Sequence, residues 1–94
     1  YKITNKLTNK IYIGSTKTSI QKRFEDHKLT RDTAPLHRDM QELGHVNFEI
    51  SEVQKVKYID EQTLLIAETS QMISHESITH GYNTKYSIDL TNIF

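Results

Sequence analysis

The run Lys-Ile-Tyr-Ile-Gly at residues 10–14 constrains this chain more than any other stretch. It sets β-branched and aromatic side chains in an apolar, strand-like segment that stops at a glycine. Upstream, Tyr1 to Ile3 reads as another short strand. The polar Thr-Asn-Lys-Leu-Thr-Asn between them is turn material, so the pair reads as an antiparallel hairpin. Beyond Gly14 the pattern turns helical. Thr18 or Ser19 suits the N-cap of a helix running to about Leu29, in which Ile20 and Phe24, four apart, face inward. Thr33 followed by Pro35 marks a second helix start. Leu36, Met40 and Leu43 form its apolar stripe, and Gly44 fits its stop. Phe48 and Ile50 then alternate with Glu49 and Ser51, as in a strand with one buried face. Tyr58 to about Ser74 is the longest helical pattern, and His80–Thr84 is turn-like. The order ββααβα, a small antiparallel three-stranded sheet flanked by helices, defines an α+β fold.

The chain has 94 residues and no cysteine. A length of this order suits one domain, here residues 1–94, and the absence of cysteine excludes a disulfide framework or a thiolate metal site. No apolar run approaches the ~18–20 residues needed to span a bilayer, and no signal peptide is visible. These features fit an intracellular protein of cytoplasm, nucleus or viral origin, not a secreted one. The chain starts at Tyr1 and not at Met, so an upstream piece is expected.

Net charge is zero, but its distribution is uneven. Residues 1–38 hold nine Lys/Arg against three Asp/Glu, and residues 39–94 hold three against nine, giving +6 and −6. Such a split suggests a basic face and a separate acidic one, although solubility charges can also segregate by chance.

Two anomalies carry chemistry. Arg23 and His27 lie one helical turn apart, beside the Ile20–Phe24 stripe, which places them at the rim of the core. Arg suits phosphate, and His moves protons near neutral pH. Taken alone, a snorkelling Arg and a satisfied rim His are the commoner reading. Glu68 follows the run Leu-Leu-Ile-Ala, with Leu64, Leu65 and Met72 at helical spacing. A carboxylate there needs a partner, a basic side chain more often than a metal. Tyr1 and Tyr12 are ordinary strand aromatics unless their phenols, on adjacent strands, act together. Asn83 is a turn residue or a loop amide fixing a site. His37, His45, His75 and His80 show no metal-binding spacing.

Tyr1, ten intervening residues, Tyr-Ile-Gly at 12–14, and then Arg23-x-x-x-His27 on the next helix together resemble the GIY-YIG nuclease family, in particular the catalytic domains of its homing endonucleases. Glu68 in the long helix and Gly-Tyr-Asn ending at Asn83 extend the resemblance over nearly the whole chain. The Gly and Ile expected before Tyr1 are missing, as in a first strand truncated at its start. The resemblance implies hydrolysis of a DNA phosphodiester with one divalent cation, Mg²⁺ or Mn²⁺, for which Glu68 would be the sole direct protein ligand. Arg23 would neutralise the phosphoryl oxygens, Tyr1, Tyr12 and His27 would orient or deprotonate the attacking water, and Asn83 would support the site. Double-stranded DNA is the expected partner, with Lys17, Lys22, Lys28, Arg31 and Arg38 as candidate backbone contacts from the basic half. A targeting DNA-binding domain would lie outside this chain. The alternative is an inactive nucleic-acid-binding module on the same fold.

Overall fold

In the computed structural model, which describes residues 1–57 and 60–88, three strands form one antiparallel sheet. They are β1 (Lys2–Asn5), β2 (Ile11–Ile13) and β3 (Phe48–Ser51), in the spatial order β2-β1-β3. Three helices accompany them: α1 (Ile20–Leu29), α2 (Pro35–Leu43) and α3 (Glu61–Ser74). This is the expected α+β architecture, and β1 is its central strand.

β1 runs two residues further than the hairpin reading, because β3 also pairs with it. Asn5 lies opposite Phe48 and Ile3 opposite Ile50, while on the other side Ile3 faces Tyr12 and Lys2 faces Ile13. The period of two then sorts the side chains. Tyr1, Ile3 and Asn5 point to one face and are buried there with Phe24, Leu36, Met40 and Phe48. Ile3 and Leu36 are almost wholly excluded from solvent. Truncating either to alanine in so small a core would cost ~2–5 kcal/mol.

The helices start and stop where the local chemistry dictates. Ser19 caps α1, its hydroxyl accepting from the Lys22 amide at 3.1 Å. Pro35 opens α2 with no side-chain cap, where its missing N–H is no loss. Gly44, at φ 89°, closes the helix in a conformation that favours glycine. A short 3₁₀ turn, His45–Asn47, unexpected from the sequence, leads into β3. α3 starts at Glu61 because Asp60 is extended and its carboxylate accepts from the Thr63 amide at 2.8 Å. The helical pattern placed the start at Tyr58, which lies outside the described residues.

The outer edge of β2 is not left open. The Tyr82 amide donates to the Ile11 carbonyl at 2.9 Å. The buried Asn83 side chain bonds Ile13 twice, its Oδ1 accepting from the Ile13 amide at 2.8 Å and its Nδ2 donating to the Ile13 carbonyl at 3.0 Å. One carboxamide thus replaces a neighbouring strand for one residue. Tyr82 fixes the same segment from the other end, where its hydroxyl accepts from Asn5 Nδ2 at 2.9 Å and donates to Asp39 at 2.8 Å. Gly81 leaves room for the turn, since a Cβ there would collide with the backbone of Ser77 and Ile11.

Asn83→Ala strands both Ile13 backbone groups in a buried setting and is expected to destabilise the fold by about 2–4 kcal/mol. Urea unfolding should show this together with faster hydrogen exchange at the Ile13 amide. A loss below ~0.5 kcal/mol, the range of an ordinary surface change, would mean that the carboxamide does not hold the edge.

Candidate active site

Gly14 sits directly opposite Tyr1, joined to it by a reciprocal pair of backbone hydrogen bonds at 2.9 and 3.1 Å. Its lack of a side chain is used at once. A Cβ at this position would lie 2.5 Å from the Tyr1 ring and hydroxyl and 2.9 Å from the Tyr12 ring. Tyr1 therefore leans across Gly14 towards Tyr12, its diagonal neighbour on the same face, with ring centroids 6.3 Å apart.

α1 supplies the next groups. The Tyr1 hydroxyl lies 2.8 Å from His27 Nε2, and the edge of the His27 ring meets Tyr12 at 5.2 Å between centroids. His27 is 4% exposed and so lies inside the core, not at its rim as helical spacing alone implied. The reason is α2, whose first turn brings His37 over the imidazole. His27 Nδ1 is 2.7 Å from His37 Nε2, and His37 Nδ1 is 2.7 Å from Asp32 Oδ1. That Asp32 oxygen also accepts from the Ala34 amide at 3.0 Å. Arg23, one turn before His27, does stay at the rim, with its side chain 39% exposed and 3.7 Å from the Asp26 carboxylate.

Burial and neighbours set the protonation states. Burial, and then the second phenol at Tyr12, push the Tyr1 hydroxyl up to about 12, against the opposing pull of Arg23. Burial and the nearby Glu68 also raise Tyr12. Burial, Arg23 and His37 lower His27 to about 4. At neutral pH the site thus holds two protonated phenols, a neutral imidazole and a guanidinium.

Glu68 approaches from α3. Both its carboxylate oxygens accept from serine hydroxyls, one from Ser15 just after the β2 strand and the other from Ser87. The expected basic partner is absent: among the described residues no Lys or Arg lies within salt-bridge range of it. The carboxylate lines two clefts, of about 310 and 360 Å³. Tyr1, Gly14 and Ser15 line the first, and Tyr12, His37 and Asn83 the second. Besides lining the second cleft, Asn83 holds the Ile13 backbone with its side chain.

The basic residues are distributed over one end of the chain. Lys17, in the β2–α1 loop, is 3.3 Å from Glu61. Lys22 and Lys28 are on α1, Arg31 follows it, and Arg38 is on α2. Lys28 is 2.9 Å from Glu25 and stands over the Phe24 ring, while Arg31 donates to the Lys28 carbonyl at 2.9 Å. Lys22, Arg31 and Arg38 are exposed.

Sequence reasoning missed His37, Asp32, Ser15 and Ser87. His37 was set aside for lack of metal-ligand spacing, yet its partner is a second imidazole. The available signal was the short link between the helices, residues 30–34, which returns the start of α2 to the end of α1.

The model of the GIY-YIG catalytic domain family matches residues 1–83. The chain belongs to this family of nuclease domains. Among solved structures it is similar to a point mutant of the catalytic domain of the intron endonuclease I-TevI, with 28% identity, a TM-score of 0.76 and coverage of 90% of each chain. It is also 38% identical over 60 residues to uncharacterized protein 019R of Invertebrate iridescent virus 6, an alignment covering 61% of this chain and 22% of that protein.

The buried neutral His27 makes stability depend on pH. Its folded value, about 4, lies below the ordinary 6.5, so as pH falls the unfolded chain takes up the proton first. The contribution is fully present above about pH 6.5 and is lost as pH falls towards 4. Between pH 7 and 4.5 it amounts to about 2 kcal/mol, by linkage from these two values. Urea melts across this range should therefore show a shallower loss for His27→Gln than for the wild type. Parallel curves would contradict a neutral buried imidazole.

Proposed function

We propose that this chain hydrolyses phosphodiester bonds of double-stranded DNA with the aid of a divalent cation, as the catalytic domain of a homing-type or related endonuclease. The observation that carries this reading is a convergence. Two phenols from the sheet, a guanidinium and a neutral imidazole from α1, and a carboxylate from α3 gather around Gly14, with Glu68 lining one cleft beside Tyr1 and a second beside Tyr12. Phosphoryl transfer needs such a set of donors and acceptors, because its catalysis is mostly positioning and charge stabilisation.

The donors around Glu68 fit a hard cation. They are a carboxylate and two hydroxyls, all oxygen, and no group of three or more His, Cys, Asp or Glu able to hold a metal occurs among the described residues. Mg²⁺ or Mn²⁺ bound through one carboxylate and completed by water suits this chemistry. Glu68 would hold the ion, with Ser15 and Ser87 orienting its oxygens. When bound, the ion supplies Lewis-acid stabilisation of charge on the phosphate.

The remaining roles belong to the chain. Arg23, next to the phenols and partly exposed, is placed to donate to the non-bridging oxygens as negative charge develops. Tyr1 and Tyr12 orient the attacking water through their hydroxyls. Tyr1, with its proton held up to about 12, is a poor base by itself. It acts together with His27, whose neutral Nε2 is 2.8 Å away. Asn83 keeps the β2 edge in place and so fixes Tyr12 and Gly14. Lys17, Lys22, Lys28, Arg31 and Arg38 contact the DNA backbone, and sequence choice rests with a separate domain.

Cleavage of a supercoiled plasmid is expected to require Mg²⁺ or Mn²⁺ and to be abolished in Glu68→Gln, which keeps the shape and removes the charge. Arg23→Ala should lower the single-turnover rate about 10²–10³-fold, as for loss of a donor to a developing oxyanion, with a much smaller change in DNA affinity. Full activity of Glu68→Gln, or wild-type cleavage that persists in EDTA, would overturn the metal assignment. DNA binding by the wild type with no cleavage under any divalent cation would leave the inactive binding module as the correct reading.

A further inference from the structure

The imidazole of His27 is one link in a longer chain. Tyr1 Oη, His27, His37 and Asp32 follow one another at 2.8, 2.7 and 2.7 Å, from a residue 8% exposed to one whose side chain is 55% exposed. A chain of this kind has a direction, and its outer end fixes it. An ionised carboxylate can only accept, and Asp32 is held ionised, first by the His37 ring and then by the Ala34 amide. His37 Nδ1 must therefore carry a hydrogen. In a neutral His37 the Nε2 is then an acceptor, so His27 Nδ1 carries a hydrogen and His27 Nε2 has none. The Tyr1 hydroxyl is left as the donor to Nε2.

We propose that Asp32 and His37 are positioning residues which hold His27 in its Nδ1–H tautomer, so that Nε2 accepts the Tyr1 proton and the ring chain gives that proton a route outward. The first half rests on geometry alone; the catalytic half rests on the nuclease reading given above. With Tyr1 donating to His27 and accepting from Arg23, its oxygen keeps one lone pair for the attacking water. As the water attacks phosphorus, its proton passes to the Tyr1 oxygen while the phenolic proton passes to His27 Nε2. The Nδ1 proton of His27 passes in turn to His37 Nε2. Water has lost one proton, His37 has gained one, and the hydroxide oxygen forms the new bond to phosphorus as the phosphorus–oxygen bond to the leaving sugar breaks, the leaving oxygen taking a proton from solvent. Tyr1 and His27 end as they began in charge, with the positive charge on His37 next to the Asp32 carboxylate. This outlet answers a difficulty in the site, since an imidazole lowered to about 4 does not keep a proton of its own.

The arrangement also accounts for the types of residue found. His37 must donate at one ring nitrogen, accept at the other and be able to take up a proton, a combination that imidazole supplies near neutral pH. Asp32 stands at the exposed end, where a carboxylate is cheaply ionised. It accepts from Ala34 and His37 with the same oxygen, so that the turn leading into α2 and the tautomer are fixed by one contact.

The test uses long-range ¹H–¹⁵N spectra of the histidine rings, which report which nitrogen carries hydrogen, with single-turnover cleavage measured in parallel. In the wild type His27 is expected to be protonated on Nδ1 and bare on Nε2. In His37→Phe the acceptor is gone, and His27 should move towards the Nε2–H form. Cleavage at saturating DNA should fall about 10–100-fold in this variant, less than the ~10²–10⁴-fold of a general acid–base group itself because His37 acts through His27, with the affinity for DNA changed less than about threefold. Asp32→Ala, a surface change, should move both readouts in the same direction by less, and it serves if His37→Phe folds poorly. A wild-type His27 protonated on Nε2 overturns the tautomer assignment. A shifted tautomer in both variants with an unchanged cleavage rate overturns the catalytic role. A wild type that shows the Nδ1–H tautomer and cleaves nothing refutes the nuclease reading and leaves the assignment of the tautomer intact.

Discussion

The close approach of Tyr1 to Gly14 is the constraint on which the rest of the site depends. Because the residue opposite Tyr1 has no side chain, the phenol can cross the strand pair and reach a helix. Any Cβ at that position would occupy the space of the ring and hydroxyl. From this follow the contact with His27, the edge-on packing of His27 against a half-buried Tyr12, and the burial of Tyr1 and His27. The glycine also ends β2, and the next residue, Ser15, turns its hydroxyl to Glu68. One missing side chain thus links sheet, α1 and α3 at a single point.

The hydrogen bonds that complete this point are buried or partly buried, and so are costly to leave unpaired. The Asn83 carboxamide satisfies the Ile13 backbone, Tyr82 joins Asn5 to Asp39, and Ser15 and Ser87 hold the two oxygens of Glu68. Polar groups fixed in this way keep their orientation with little rotamer freedom. That is the condition under which a site stabilises charge without reorganising as it develops. Arg23 is the more exposed exception. In the proposed function it is the group that meets a solvent-borne phosphate, and its partial exposure suits that task.

The elements were legible in the sequence where a local rule decides them. Ser19 caps α1, Pro35 opens α2 and Gly44 closes it, as capping and turn chemistry require. The longer β1 came from tertiary pairing, since it extends to Asn5 because β3 pairs there. The start of α3 at Glu61 is set by a local cap, Asp60, that the apolar pattern alone did not single out. In the site, the ordered set of Tyr1, Tyr12, Arg23, His27, Glu68 and Asn83 was readable as a family pattern. What could not be read was how these residues are held. Helical periodicity on α1 alone put His27 at the rim, because it contains nothing about α2 folding over it. His37 and Asp32 carry no motif, and the serines that meet Glu68 are 53 and 19 residues away from it in the chain.

The central claim is that groups from the sheet, α1 and α3 act together on one phosphate. The measurement that tests it most directly is a crystal structure of the chain with a DNA duplex and Ca²⁺, which resembles Mg²⁺ in its oxygen ligands and often fails to support turnover. The account predicts a cation within about 2.3–2.6 Å of a Glu68 oxygen, sharing a phosphate whose other oxygen faces Arg23 and whose phosphorus faces Tyr1. A duplex lying across the acidic half of the chain, or a phosphate and cation held away from Glu68 and Arg23, would contradict it.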